Sequence, residues 1–268
     1  SRRLRAKGRT MSHRSPLRRA VDRWLLALQF FTRIPIPAQV PYSEAELNNA
    51  AIYFPLIGTL IGTLCALVYW AATYLWPEPV AIFLSMVFGL LLTGCFHEDG
   101  LADCMDGMGG GWERERILSI MQDSRLGTYG ATALLVALAG KFLLLLALPT
   151  PLLIPVMILA HAISRLSAAS MMLTEAYARP EGKAKPLAVR ISAGGLLLAA
   201  ALALAPFIWL KLPALLWLAV LPLLALRLWF AHWLRKWLGG FTGDCLGALQ
   251  QLSELTFLLG ALALCRFI

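Results

Sequence analysis

Seven long apolar runs constrain this chain more than any other feature. They cover roughly residues 51–76, 79–96, 128–149, 151–173, 193–211, 213–230 and 246–267. A helix needs about 20 apolar residues to cross about 30 Å of hydrocarbon. Backbone in lipid must satisfy its own hydrogen bonds, so runs of this length predict helices. Pro-containing turns at 77–79, 149–151 and 213 separate neighbouring runs, and the second and sixth runs are short. The chain is 59% hydrophobic and 15% charged, against about 45–50% and about 25% for a soluble domain. The expectation is an all-α, polytopic integral membrane helical bundle of about seven transmembrane helices. No internal repeat and no soluble second domain is evident. Residues 1–17 read as a basic N-terminal extension and 18–268 as a single transmembrane catalytic domain.

Charge sets the expected orientation. The first 23 residues carry nine Lys or Arg and one acid. Such a patch binds nucleic acid or anionic lipid. Beside so many apolar runs, an anionic lipid surface is favoured and nucleic acid is not expected. No signal-peptide pattern is present. In "RRAVDRWLLALQFFTRIPIP" (18–37), apolar residues at 21, 24, 25, 28 and 31 share one helical face, and Pro35 and Pro37 end it. This predicts an amphipathic interfacial helix, with a core-packed helix as the alternative. With a cytoplasmic N-terminus, seven spans put the loops 97–127, 174–192 and 231–245 on the cytoplasmic side. These hold Arg114, Arg116, Arg125, Arg179, Lys183, Lys185, Arg190, Arg235 and Lys236, and the opposite connections hold almost no cation beyond Lys211. The asymmetry matches the rule that Lys and Arg stay inside. The five cysteines form no C-x-x-C pair and read as small packing residues.

Directly after the second run comes "HEDGLADCMDG" (97–107), with Glu98, Asp99, Asp103 and Asp106 within nine residues. In a helix, Asp99, Asp103 and Asp106 are spaced i, i+4, i+7 and fall within about 60° of arc. Like charges so placed repel by a few tenths of a kcal/mol in water, and more at lower dielectric. A divalent cation removes the repulsion, and all-carboxylate ligation suits Mg²⁺, Mn²⁺ or Ca²⁺ and not zinc. The bland alternative is a solvated, acidic helix end. Flanking glycines permit close approach of a ligand or a second backbone. Asp244, in "GGFTGDCLGA" (239–248), is expected to converge on the same pocket, because one helix face offers a cation too few oxygens. Its bland alternative is a cap on the last span. Arg125 either binds phosphate or pairs with Asp123. Lys141, Arg165 and Glu254 lie inside predicted spans and should face a polar cavity or a partner, with snorkelling from near a span end as the bland alternative.

"FHEDGLADCMDG", "MQDSRLGTYG", the Ser-Arg pair at 164–165 and "TGDCLGA" resemble the bacterial cobalamin synthase family, the adenosylcobinamide-GDP ribazoletransferases. The likeness extends from "LQFFTRIPIP" and "YFPLIGTLIG" to "SELTFLL". It implies a Mg²⁺-dependent enzyme of the bacterial inner membrane, active on the cytoplasmic side. It would join α-ribazole or its 5′-phosphate to adenosylcobinamide-GDP and release GMP. Glu98 stands where that family commonly has an apolar residue, and "GGGWERER" differs from its usual linker. The implied roles are metal binding at Asp99, Asp103, Asp106 and Asp244, proton transfer at one of the clustered acids, and phosphate binding at Arg125 and Arg165. Asp123, Lys141 and His97 are counted as further substrate contacts. A CDP-alcohol-type lipid phosphotransferase and a divalent-cation transporter are the alternatives. Homo-oligomerisation is left open.

Overall fold

The computed structural model describes residues 14–37, 39–179, 189–210 and 212–268. Most of the basic extension, Lys183, Lys185 and Lys211 lie outside the described residues. Among those described there is no strand, only an isolated bridge between Tyr177 and Phe241. The architecture is the expected helical bundle.

The first helix, α1 (Pro16–Phe31), starts at a Ser15 cap with proline in its first turn, and it stops before Pro35. Leu26, Ala27, Leu28 and Phe31 are buried, whereas Leu17 and Val21 are exposed. The C-terminal half therefore packs on the core rather than lying as a free surface helix. Asp22 is fully buried, with Arg14 and Arg18 as ion-pair partners. Arg23 donates to Glu46 at 2.7 Å and fastens α1 to α2 (Glu44–Ala50).

A 3₁₀ turn continues α2 into α3 (Phe54–Ala72). α4 (Glu78–Thr93) is followed by α5 (Phe96–Gly110), then the short α6 (Arg114–Ile120). α7 (Thr128–Ala147), α8 (Thr150–Thr174), α9 (Ala193–Trp209), α10 (Val220–Leu238) and α11 (Gly243–Leu264) complete the bundle. α8 is buried along most of its length, between α3, α9 and α11.

Five helical stretches are long and apolar enough to cross a membrane: Glu44–Ala72, Thr128–Ala147, Thr150–Thr174, Ala214–Leu238 and Gly243–Phe267. The run expected at 79–96 behaves differently. α4 ends at Gly94 (φ 65°) and Cys95 (φ 57°), two consecutive left-handed residues, and the chain turns by 84° into α5. Counted as one broken span, α4 and α5 make a sixth. α9 is a shorter apolar helix of 17 residues. The run expected at 213–230 continues to Leu238 and carries Arg227, which donates to Ser170 Oγ at 3.0 Å and to its carbonyl at 3.2 Å.

The bend matters for the site. Straight continuation of α4 would carry the acids out along the span axis. The turn instead packs α5 against α11 and α7.

Candidate active site

α5 and α11 cross with backbones in contact. A Cβ on Gly100 would lie 3.0 Å from the Asp244 carbonyl oxygen, and one on Gly247 would lie 3.1 Å from that of His97. Glycine at both positions is what allows this approach. The crossing brings Asp244, from the first turn of α11, to the acids of α5. Asp99 is exposed, Asp103 half-buried and Asp106 mostly buried.

The acids stand in different environments. Asp106 accepts from the Gly127 amide at 2.7 Å and the Gly130 amide at 2.8 Å, so it satisfies otherwise orphaned donors at the start of α7. Asp244 pairs with Arg179 at 2.5 Å and accepts from Thr242 Oγ1 at 3.3 Å. The cap of α11 is Thr242, whose hydroxyl accepts from the Cys245 amide. Asp244 is therefore not the capping residue. Asp103 has no such partner among the described residues. Burial, and then the charges of Asp244 and Asp99, push its carboxyl up to about 7, against the opposing pull of Arg179. A carboxyl held there takes and releases a proton near neutrality.

Arg179 was not among the residues selected from sequence as a site residue. It lies 65 positions from Asp244. Its place depends on the bridge in which Ala178 donates to the Phe241 carbonyl at 2.8 Å and Phe241 donates to the Ala176 carbonyl at 2.9 Å. Arg114 braces the same junction, donating to the Leu238 and Ala178 carbonyls at 2.9 and 2.6 Å. No local spacing signals this arrangement.

Of the expected substrate contacts, Arg125 and Asp123 form an exposed ion pair at 2.6 Å. Arg125 holds the Asp123 carboxyl down to about 2. Lys141 and Arg165 lie instead in a polar network between α7, α8 and α11. Lys141 pairs with Glu254 at 2.5 Å, and Gln250 donates to Glu254 at 2.8 Å and to Ser164 at 2.9 Å. His161 Nε2 is 3.7 Å from Glu254. Arg165 donates to the His161 carbonyl at 2.9 Å and lies over the Phe31 ring at 5.5 Å. Gln251 ties Glu98 to this network at 2.9 Å. His97 is buried and stacks on Phe31, with centroids 5.3 Å apart. The three charges expected inside spans thus find one another or polar partners.

The donor set at the crossing suits a hard cation: carboxylates only, with one of them stressed by its neighbours. Among the described residues, no group of three His, Cys, Asp or Glu side chains is gathered closely enough to hold a metal ion unaided. A Mg²⁺ ion held here would have one or two of these carboxylates, with waters and substrate phosphates completing its shell.

Fold and site define a polytopic helical protein with a cluster of carboxylates, and Arg179 beside it, where α5 meets α11. The chain belongs to the cobalamin-5-phosphate synthase family, whose sequence profile matches residues 23–262. It is 46% identical over 254 residues to an adenosylcobinamide-GDP ribazoletransferase of Vibrio cholerae, covering 92% of this chain and 95% of that one. The Vibrio parahaemolyticus relative is 46% identical over 259 residues, covering 94% and 96%. The Ralstonia pickettii relative is 48% identical over 240 residues, covering 88% and 93%. No solved structure gives a significant match.

Proposed function

We propose that this protein joins α-ribazole, or its 5′-phosphate, to adenosylcobinamide-GDP and releases GMP, and that it uses Mg²⁺ in doing so. The observation that carries the reading is the convergence of Asp103, Asp99 and Asp244 at the α5–α11 crossing, in a chain of this family. In the reaction, a ribose hydroxyl forms a bond to the phosphorus that bears the cobinamide side chain. The diphosphate bond to GMP breaks, and the hydroxyl proton goes to a base.

Asp103 fits the base, because it stands half-buried beside the Asp99 and Asp244 carboxylates and accepts no hydrogen bond from a described residue. Asp99 and Asp244 fit the metal ligands. Arg179, already against Asp244, is placed to hold a diphosphate oxygen by a charge-assisted bond. Asp106 acts as a positioning residue, fixing the start of α7 against α5. A carboxylate-held Mg²⁺ supplies charge neutralisation on the diphosphate and the departing GMP. We place this site on the cytoplasmic side of the bacterial inner membrane, following the cation bias of the loops.

The cation-transporter alternative draws on the intramembrane charges and on the acid cluster, which has no matching acidic ring on the other side. Lys141 and Glu254 pair with each other, so those charges no longer call for a permeating ion. The deciding experiment measures GMP release by purified protein in nanodiscs. Release should require both substrates and Mg²⁺. Release without a ribazole acceptor, or none with the full set, overturns the reading.

A further inference from the structure

Between α8, α9 and α10 lies a groove of about 310 Å³. Its walls are mainly apolar: Ile163 and Leu166 of α8, Leu196 and Leu204 of α9, Leu223 and Leu224 of α10. Leu224 and Leu228 line it and are exposed, so it opens on the surface of the bundle. α10 belongs to the stretch Ala214–Leu238, which is long and apolar enough to cross a membrane. The groove therefore faces acyl chains, and any apolar chain would suit its leucines.

The polar end narrows the occupant. Arg227, only 8% exposed, lines the groove together with Ser170 and Thr174. Its Nε donates to Ser170 Oγ at 3.0 Å, and its Nη2 donates to the Ser170 carbonyl at 3.2 Å and to Thr174 Oγ1. Its Nη1 makes no hydrogen bond to a described residue. Glu175, the acid whose charge acts on Arg227, is instead 3.5 Å from Arg235. Among the described residues two arginines thus share one acid, which leaves a net positive charge at this end of the groove. A guanidinium in an apolar, lipid-facing stretch is costly without an anion.

Depth agrees with charge. Directly after Arg227 on α10 come Trp229 and Trp233, whose rings stack within 12° at 5.6 Å, and then Arg235 and Lys236 in the last turn. Tryptophan and cations at the end of an apolar helix mark the headgroup level of a membrane. Arg227 stands at the inner edge of that belt, between the headgroups and the leucines.

We infer that this groove binds an anionic phospholipid: one acyl chain lies along the leucines of α9 and α10, and the headgroup phosphate accepts from Arg227 Nη1–H. Basic pockets between membrane helices select acidic headgroups in this way. A zwitterionic lipid fits less well, because its ammonium group adds positive charge where Arg227 and Arg235 already leave an excess. The inference stands apart from the reaction proposed above.

The test titrates full-length, delipidated protein in neutral detergent with phosphatidylglycerol or phosphatidylcholine of the same chains, read by native mass spectrometry. Wild type should bind its first phosphatidylglycerol ~10-fold more tightly than phosphatidylcholine, as for one charge-assisted hydrogen bond. Arg227→Gln should lose most of that preference. Leu224→Trp fills the groove from its exposed rim and should weaken phosphatidylglycerol binding although Arg227 is untouched. Equal binding of the two lipids by wild type, an unchanged preference in Arg227→Gln, or unchanged phosphatidylglycerol binding in Leu224→Trp would overturn the site. A wild-type dimer that retains no lipid and that Leu224→Trp dissociates would put a second copy of the chain in the groove, and would overturn it as well.

Discussion

Two groups of charged side chains in this protein use similar residues in opposite ways. Between α7, α8 and α11, Glu254 is met by Lys141, Gln250 and His161. At the α5–α11 crossing, Asp103 is met by Asp99 and Asp244, and Arg179, the cation that acts on it among the described residues, is paired with Asp244. The first group is balanced and deeply buried, which is how a bundle tolerates charge in a low-dielectric interior. The second is left repulsive and half-open, a state that a stable fold does not need and that a cationic or phosphate-bearing ligand relieves. Balance marks structure here, and imbalance marks chemistry.

The largest expected effect breaks the balanced group. Glu254→Gln leaves Lys141 buried without its counter-charge, at a cost of about 3–5 kcal/mol. Thermal unfolding in detergent should show a large loss of Tm. Adding Lys141→Met should restore most of it, because the orphaned charge is then gone. Glu254→Gln with unchanged Tm would break the comparison.

Asp103→Asn comes next and should act on chemistry alone. Turnover should fall by about 10²–10⁴-fold, the range for loss of a general base, with Tm unchanged or raised as repulsion is relieved. The sign of the pH effect follows from the raised carboxyl. Between its ordinary value of 3.8 and about 7, folded protein binds more protons than unfolded, so the group's contribution to stability falls as pH rises through that window. Base function and cation binding need the ionised form, so activity at limiting Mg²⁺ should climb from pH 6 to 7 and level off above. A profile that stays the same in Asp103→Asn would assign the titration elsewhere.

A smaller loss, about 10–100-fold in activity, is expected of Asp244→Ser, which removes a carboxylate while Thr242 continues to cap α11. Its apparent Mg²⁺ requirement should rise, as expected on losing one of few carboxylate ligands. Full activity with unaltered Mg²⁺ dependence would remove Asp244 from the site.

The smallest effect belongs to Arg125. Its pair with Asp123 lies in solvent, with the arginine side chain 87% exposed, and such pairs contribute little to stability. Arg125→Gln should change Tm little and activity less than about threefold. A loss comparable to that of Asp103→Asn would mean that Arg125 leaves Asp123 for substrate phosphate during turnover.

The sequence by itself determined the helical class, the positions of the apolar segments and the acid motif, because each is written in local composition or period. Run length and hydrophobicity report the solvent, and the i, i+4, i+7 spacing reports one helical face. Even the need of Lys141, Arg165 and Glu254 for polar surroundings could be read, since the cost of a lone charge in a membrane depends on nothing distant. Only the tertiary structure decided which partner each would take. Lys141 and Glu254 are 113 positions apart, and Arg179 and Asp244 meet through a bridge between two loops. The broken second span also escaped prediction, because Cys95 takes a left-handed conformation that its residue type does not favour. That bend and the glycine crossing set the acids against α11. Both are properties of packed backbones, and neither leaves a period in the sequence.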